Sequence, residues 1–120
     1  MTVRTKRIYE PASDDDGTRV LVDRLWPRGV RKADAAVDHW MKAVAPSPEL
    51  RKWFGHDPDR FEGFAAAYRE ELDRVPGAVA ELLALARAGD VTLLYGARDP
   101  LHNHARVLAE YVREALDRGT

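Results

Sequence analysis

Two short runs of residues, 20–24 and 91–95, are mainly apolar, and polar residues stand at the end of the first and directly after the second. Continuous rather than alternating apolar residues are typical of a strand covered on both faces. In residues 3–9, by contrast, Val3, Thr5 and Tyr9 alternate with Arg4, Lys6 and Ile8, and Pro11 follows shortly after. This alternation of β-favouring and charged residues predicts a half-exposed edge strand. The pattern therefore predicts a short, mostly parallel sheet of about three strands.

Apolar residues at helical spacing predict about five helices around this sheet. Proline in the first turn of a helix costs little, because its missing N–H is not needed there. Four helix starts follow this rule: Ser47–Pro48, Asp57–Pro58, Pro76–Gly77 and Asp99–Pro100. The apolar residues within 33–45 also fit helical spacing, which predicts a helix there. Val37, His39 and Met41 fit an alternating pattern as well, so an extended segment is the alternative.

The order of these elements predicts where a site would lie. Strands joined through helices favour parallel pairing, so residues 1–120 are expected to form one small α/β domain. Open α/β sheets bind ligands beyond the carboxyl ends of their strands, and both apolar strands end in polar residues. Candidate ligand-binding residues at these ends are Arg24, Trp26, Arg28, Tyr95, Arg98 and Asn103.

The residue types at this predicted site favour an anion. Arginine forks such as those of Arg24 and Arg28 bind phosphate, sulfate or carboxylate bidentately. Asp23 would either position an arginine or act as a base, and Trp26 would wall a pocket or stack on a planar ligand. Asn103 would bond either a substrate or the neighbouring backbone. An alternative is that Asp23 and Arg24 form structural ion pairs at a strand end.

Histidine supplies a second catalytic candidate beside Asp23. His56 lies in a Gly-His-Asp-Pro break, where it would act as general acid or base or serve only in capping. His102 and His104 are two residues apart, which places them about 200° apart on a helix, so they cannot share a metal ion. His104 borders an apolar stripe and is predicted to be a core histidine, and no metal site is predicted.

Composition narrows the classes of function. The chain has 120 residues, a net charge of -1 and no cysteine, which excludes disulfides, thiolate nucleophiles and Cys-based metal sites. Near-neutral charge disfavours binding of nucleic acid, so Arg51–Lys52 are interpreted as solvated surface residues. The acidic run within residues 11–18 lies among turn-forming residues and is interpreted as a solvated turn. No apolar segment approaches membrane-spanning length, which predicts a cytoplasmic protein without a membrane partner. The expected oligomeric state is a monomer or a homodimer.

Several stretches of the chain together resemble the YeaO-like proteins, a bacterial domain-of-unknown-function family. These stretches are residues 19–29, 40–42 with 45–47, 50–56, 68–72, and 92–95 with 103–105. The resemblance implies a small single-domain α/β protein and supplies no activity. It gives greater weight to Asp23, Arg24, Trp26, Arg28, His56 and Asn103. Arginine stands at position 98 where the resemblance suggests lysine, which keeps Arg98 as a candidate cation.

Two hypotheses of function follow. In the first, the protein is an enzyme that acts on a small anionic metabolite without an organic cofactor, with Asp23 or His56 moving a proton. In the second, it is a non-catalytic module that binds a small ligand or a protein in a regulatory or stress pathway. The absence of a glycine-rich phosphate loop and of a catalytic triad motif favours the second.

Overall fold

Four parallel strands form one sheet in the computed structural model, which describes residues 2–118. The strands are β1 (Val3–Arg7), β2 (Thr18–Leu21), β3 (His39–Trp40) and β4 (Val91–Tyr95), in the order β1-β4-β2-β3. β2 and β4 pair in parallel at the centre, and β1 lies at an edge, as the alternation predicts. β2 begins and ends earlier than the strand predicted over residues 20–24, so Asp23 and Arg24 follow the strand instead of ending it. The α/β class is therefore confirmed, with one strand more than expected.

Five α-helices accompany the sheet within residues 2–118. They are α1 (Lys32–Ala35), α2 (Pro48–Phe54), α3 (Phe61–Asp73), α4 (Pro76–Ala88) and α5 (His104–Asp117). The predicted cap of α2 is present, because Ser47 Oγ accepts a hydrogen bond from the backbone N–H of Leu50 at 3.1 Å. None of these helices is both long enough and apolar enough to cross a membrane.

Both faces of the central strands are covered. Side chains alternate along β4, so Leu93 and Tyr95 face the main core formed with α3, α4 and α5, while Leu94 faces the opposite side. There a smaller cluster includes Trp26 and Trp40. Coverage on both faces explains why neighbouring residues in each central strand, Val20–Leu21 and Leu93–Leu94, are apolar and fully buried.

The helix predicted over residues 33–45 is wrong. Only α1 is α-helical, and the chain then passes through Ala36 in a left-handed conformation (φ 51°) into β3 and a short 3-10 turn at Lys42–Val44. The open edge of β2 determines this outcome, because the carbonyl of Leu21 accepts a hydrogen bond from Met41 N at 2.9 Å. The extended alternative is confirmed at β3.

The start predicted for the last helix at Asp99–Pro100 is also wrong. Asn103 is the true cap, since its Oδ1 accepts a hydrogen bond from Arg106 N at 3.0 Å. Asp99 caps only a preceding turn, where its Oδ1 accepts from Leu101 N and His102 N. Leu101 consequently lies outside the helix and 59% of it is exposed.

The acidic run within residues 11–18 is not wholly solvated, contrary to prediction. Asp16 is only 5% exposed and forms ion pairs with Lys6, at 3.0 Å, and with Arg19. Burial raises the pKa of Asp16, but hydrogen bonds from Ser13 N and from the two basic side chains outweigh it and hold that pKa below its usual value. This carboxylate is therefore part of the buried structure of the β1–β2 loop.

Candidate functional site

A cleft opens beyond the carboxyl ends of β2 and β4, where the strand pattern predicts a site. It consists of two neighbouring cavities of about 280 and 290 Å³. We call the first the arginine compartment, which Asp23, Arg24, Trp26 and Arg28 line, and the second the aromatic compartment, which Phe54, Phe64, Lys52 and His102 line. Both compartments share Pro46, Arg51, His56, Ala97 and His104.

The structure brings most of the predicted site residues together. Five of them line the arginine compartment, namely Asp23, Arg24, Trp26, Arg28 and His56, and Asn103 lines the aromatic compartment. Tyr95 and Arg98 line neither. Tyr95 points into the main core because of its position in the alternation along β4, and Arg98 is exposed in the loop that follows.

Asp23 connects the ends of the two central strands. The last ladder contact beside it joins Val22 N to the carbonyl of Leu94 at 3.1 Å, so Asp23 itself has left the strand and its side chain is free to bridge. Its Oδ2 accepts a hydrogen bond from Gly96 N at 2.9 Å. A Cβ at Gly96 would lie 3.0 Å from that oxygen, so glycine permits this approach.

His104 is the site residue that sequence reasoning missed. Its Nε2 lies 2.9 Å from Asp23 Oδ1, and both atoms are buried. The contact is at ion-pair distance but is too poorly aligned for a hydrogen bond, and neither atom has another hydrogen-bond partner among residues 2–118. The misplaced helix start assigned His104 to an apolar stripe, whereas the Asn103 cap makes it the first residue of α5.

Arg24 is held by neutral groups, and the alternative in which it forms a structural ion pair is not found among residues 2–118. Its guanidinium donates to the carbonyls of Ala45 and Pro46 at 3.3 and 3.4 Å. These bonds use Nε and Nη2, and Nη1 has no hydrogen-bond acceptor in the described part of the chain. No described carboxylate pairs with the guanidinium. Its charge is therefore not neutralised by a protein acid.

Three further cations border the cleft. Arg28, Arg51 and Lys52 are exposed, and none of them takes part in an ion pair between described residues. Composition alone indicated that Arg51 and Lys52 were ordinary solvated residues. Their position on α2, directly before the His56 break, is the signal that associates them with the site.

His56 and Trp26 contribute walls of different kinds. His56 has a left-handed backbone (φ 57°) after the left-handed Gly55, a conformation that costs a non-glycine residue about 1–2 kcal/mol. Trp26 donates its indole N–H to the carbonyl of Val30 at 2.7 Å and packs edge-on against Trp40. The indole N–H of Trp26 is thus already used, and its ring serves as an apolar wall.

Asn103 and His102 are committed to local structure. Asn103 is 1% exposed, caps α5 and donates from Nδ2 to the carbonyl of Asp99 at 2.9 Å, which fits the backbone alternative. The ring of His102 lies 2.8 Å from Asp99 Oδ2. Hydrogen bonds from Leu101 N and from the His102 ring lower the pKa of Asp99.

The residues around the cleft set limits on its chemistry. Among the described residues, no group of three or more His, Asp or Glu side chains is placed to hold a metal ion. Tyr68, whose ring lies edge-on to His104 at 6.4 Å, is fully enclosed. Burial, then the charges of Glu71 and Asp23, raise its pKa well above its usual value, which keeps the phenol neutral.

The fold and the cleft together define a small parallel α/β protein with a basic cleft at its strand ends. The chain belongs to the family described as the inactive DUF488-N3 subclade, whose model matches residues 2–120. This membership agrees with the YeaO-like resemblance.

Two groups of relatives illustrate the extent of the similarity. Uncharacterised proteins of Mycobacterium tuberculosis and Mycobacterium bovis are 50% identical over 108 residues, which is 90% of this chain and 91% of theirs. The uncharacterised protein YeaO of Escherichia coli is 43% identical over 113 residues, covering 94% of this chain and 98% of its own. No solved structure matches the chain significantly.

Proposed function

We propose that the cleft binds a small anionic ligand reversibly and without chemical turnover. One observation carries this proposal. Arg24, Arg28, Arg51 and Lys52 line the cleft without a carboxylate partner among residues 2–118, against the single carboxylate of Asp23. In a chain of net charge -1, this local excess of positive charge creates a favourable potential for an anion.

The surrounding structure supports the same ligand class. α5 begins at His104 in the wall of both compartments, so the positive end of its dipole faces the same region as the arginines. Arg24 is held by two carbonyls before any ligand arrives, which reduces the entropy lost on binding. Each compartment is close in volume to the smallest pockets that hold small molecules.

Two observations favour binding over catalysis. The family is described as inactive. Ser47 lines neither compartment, and its hydroxyl caps α2 by accepting from Leu50 N while it donates to Glu71 Oε2 at 2.6 Å. The hydroxyl is therefore not placed to attack a ligand in the cleft.

Proton transfer by Asp23 or His56 is the second candidate function. Both residues line the arginine compartment together with His104, and an acid beside two imidazoles is a common arrangement for general acid–base catalysis. Release of product from a bound phosphate or carboxylate ester, followed by NMR, would establish turnover and contradict the binding-only proposal.

Binding is tested by thermal stabilisation and calorimetry with phosphate, sulfate and citrate at low ionic strength. We expect Arg28→Ala and Arg51→Ala each to weaken binding about tenfold, since a hydrogen bond to a charged group is worth about 1.5–3 kcal/mol. The matched control is Arg74→Ala, an exposed arginine at the end of α3 outside the cleft. Unchanged affinity in both cleft variants, or a failure of every anion to bind, would contradict the proposal.

Asp23→Asn is expected to tighten phosphate binding roughly three- to tenfold. It removes the negative charge from the cleft, and a like charge several ångström away costs an anion about 1 kcal/mol near a protein surface. An asparagine oxygen can still accept from Gly96 N, so the link between strand ends is retained. Calorimetry against Asp34→Asn, an exposed acid outside the cleft, measures the effect, and weaker binding by Asp23→Asn would show that the carboxylate itself holds the ligand.

A further inference from the structure

We infer that the ligand is an aromatic ring that carries an anionic group, with the ring in the aromatic compartment and the anion in the arginine compartment. This inference rests on the proposed anion site and specifies its ligand class. It follows from the division of the cleft into two parts of different chemistry that share a common wall.

The aromatic compartment combines apolar surface with the cations Arg51 and Lys52. Phe54 and Phe64 stack on each other at 4.4 Å with an interplanar angle of 22° and are 5% and 1% exposed, so they support the wall while Pro46 and Pro48 add apolar surface. His102 is held by Asp99 and packs edge-on against a phenylalanine, so its partly exposed ring is fixed in the wall. A planar aromatic guest would cover this surface and contact the imidazole.

The two compartments are adjacent enough for one molecule to occupy both. Arg51, His56, Ala97 and His104 belong to both walls, so a ring and an anion joined by one or two bonds can reach both sides of this shared boundary. An inorganic anion would leave the apolar surface of the aromatic compartment in contact with water. A ring attached to the anion would cover that surface and so add affinity to that from the charges.

Three probes separate the contributions of ring and charge: phenyl phosphate, methyl phosphate and phenol. Calorimetric titrations of the full chain at one pH and ionic strength compare them. We expect phenyl phosphate to bind at least tenfold more tightly than methyl phosphate, and phenol to bind more weakly than either.

Two variants assign these contributions to the compartments. Phe54→Leu keeps an apolar side chain but removes a ring, and it should lower the ratio of phenyl to methyl phosphate affinity at least threefold. Arg28→Ala should weaken both phosphates and leave that ratio within twofold. Circular dichroism verifies that Phe54→Leu is folded, and the comparison of the three probes on the wild-type chain stands without it.

The possible outcomes separate this inference from the proposed function. If methyl and phenyl phosphate bind equally, the inference is overturned and the anion site stands. If neither phosphate binds, the proposed function fails, and the inference fails with it. Phenol binding as tightly as phenyl phosphate would overturn the assignment of the anion to the arginines.

Discussion

Replacing Asp16 by alanine is expected to lower the free energy of unfolding by about 3–5 kcal/mol, the usual cost of removing one partner from a buried ion pair. Asp16 is 5% exposed and pairs with Lys6 and Arg19. Arg19 is itself 5% exposed, and without Asp16 its remaining contacts are neutral carbonyls, including that of Ala35 at 3.0 Å. The buried guanidinium would then lack a counter-charge.

Asp14→Ala is the matched control, because it removes the same side chain two residues away from an exposed position in the same turn. Urea denaturation of both variants and the wild type measures the difference. Loss of less than about 1 kcal/mol by Asp16→Ala relative to Asp14→Ala would mean that solvent or Lys6 compensates for the lost charge.

The Asp16 carboxylate is expected to make the free energy of unfolding fall in acid. Its pKa is lower in the folded chain than the usual value of 3.8, so folding favours the charged form. Its contribution is therefore fully present above pH 3.8 and is lost as the pH falls through the lower folded-state pKa. The difference in stability between the wild type and Asp16→Ala should shrink in acid over that window.

Local signals in the sequence were sufficient where the chain makes its own contacts. Ser47 and Pro48 start α2 as predicted, because a cap and a proline act within four residues. β4 is a strand as predicted, since its β-favouring residues, four of five of them apolar, have two covered faces. Such features need no knowledge of distant parts of the chain.

Features that depend on distant partners were not predictable in the same way. β3 is extended because β2 offers an open edge, which overrides the helical spacing of residues 33–45. Asp16 is buried because Lys6 and Arg19 reach it from two different strands. The β2–β3 pairing and the Lys6 contact leave no local mark in the sequence, and the Arg19 contact, although only three residues away, does not by itself show that an acidic turn is buried.

The candidate site shows both situations. The rule for strand ends placed Asp23, Arg24 and Arg28 in one region, and they line one cavity. The position of His104 depends on whether α5 begins at Asp99–Pro100 or at Asn103, because the later start makes His104 the first residue of the helix, at its cleft end. Both starts satisfy the capping rules, so only the folded chain distinguishes them.

Gly17→Ala is expected to destabilise the fold by about 2–5 kcal/mol, combining backbone strain with a steric clash. Gly17 has φ +64°, a conformation that side chains disfavour, and a Cβ there would lie 2.3 Å from the carbonyl oxygen of Asp90. That oxygen accepts a hydrogen bond from Thr18 N at 2.9 Å, at the start of the β2–β4 ladder. The clash therefore cannot be relieved without moving a backbone contact between the central strands.

Gly77→Ala is the matched control and should have the opposite sign. Gly77 lies in the first turn of α4, and a Cβ there meets no atom within 4 Å. Alanine restricts the unfolded chain and favours the helix, so a gain of about 0.4–1 kcal/mol is expected. Thermal and urea unfolding of both variants measure the contrast, and a Gly17→Ala protein as stable as Gly77→Ala would show that the β2–β4 junction yields to the added methyl group.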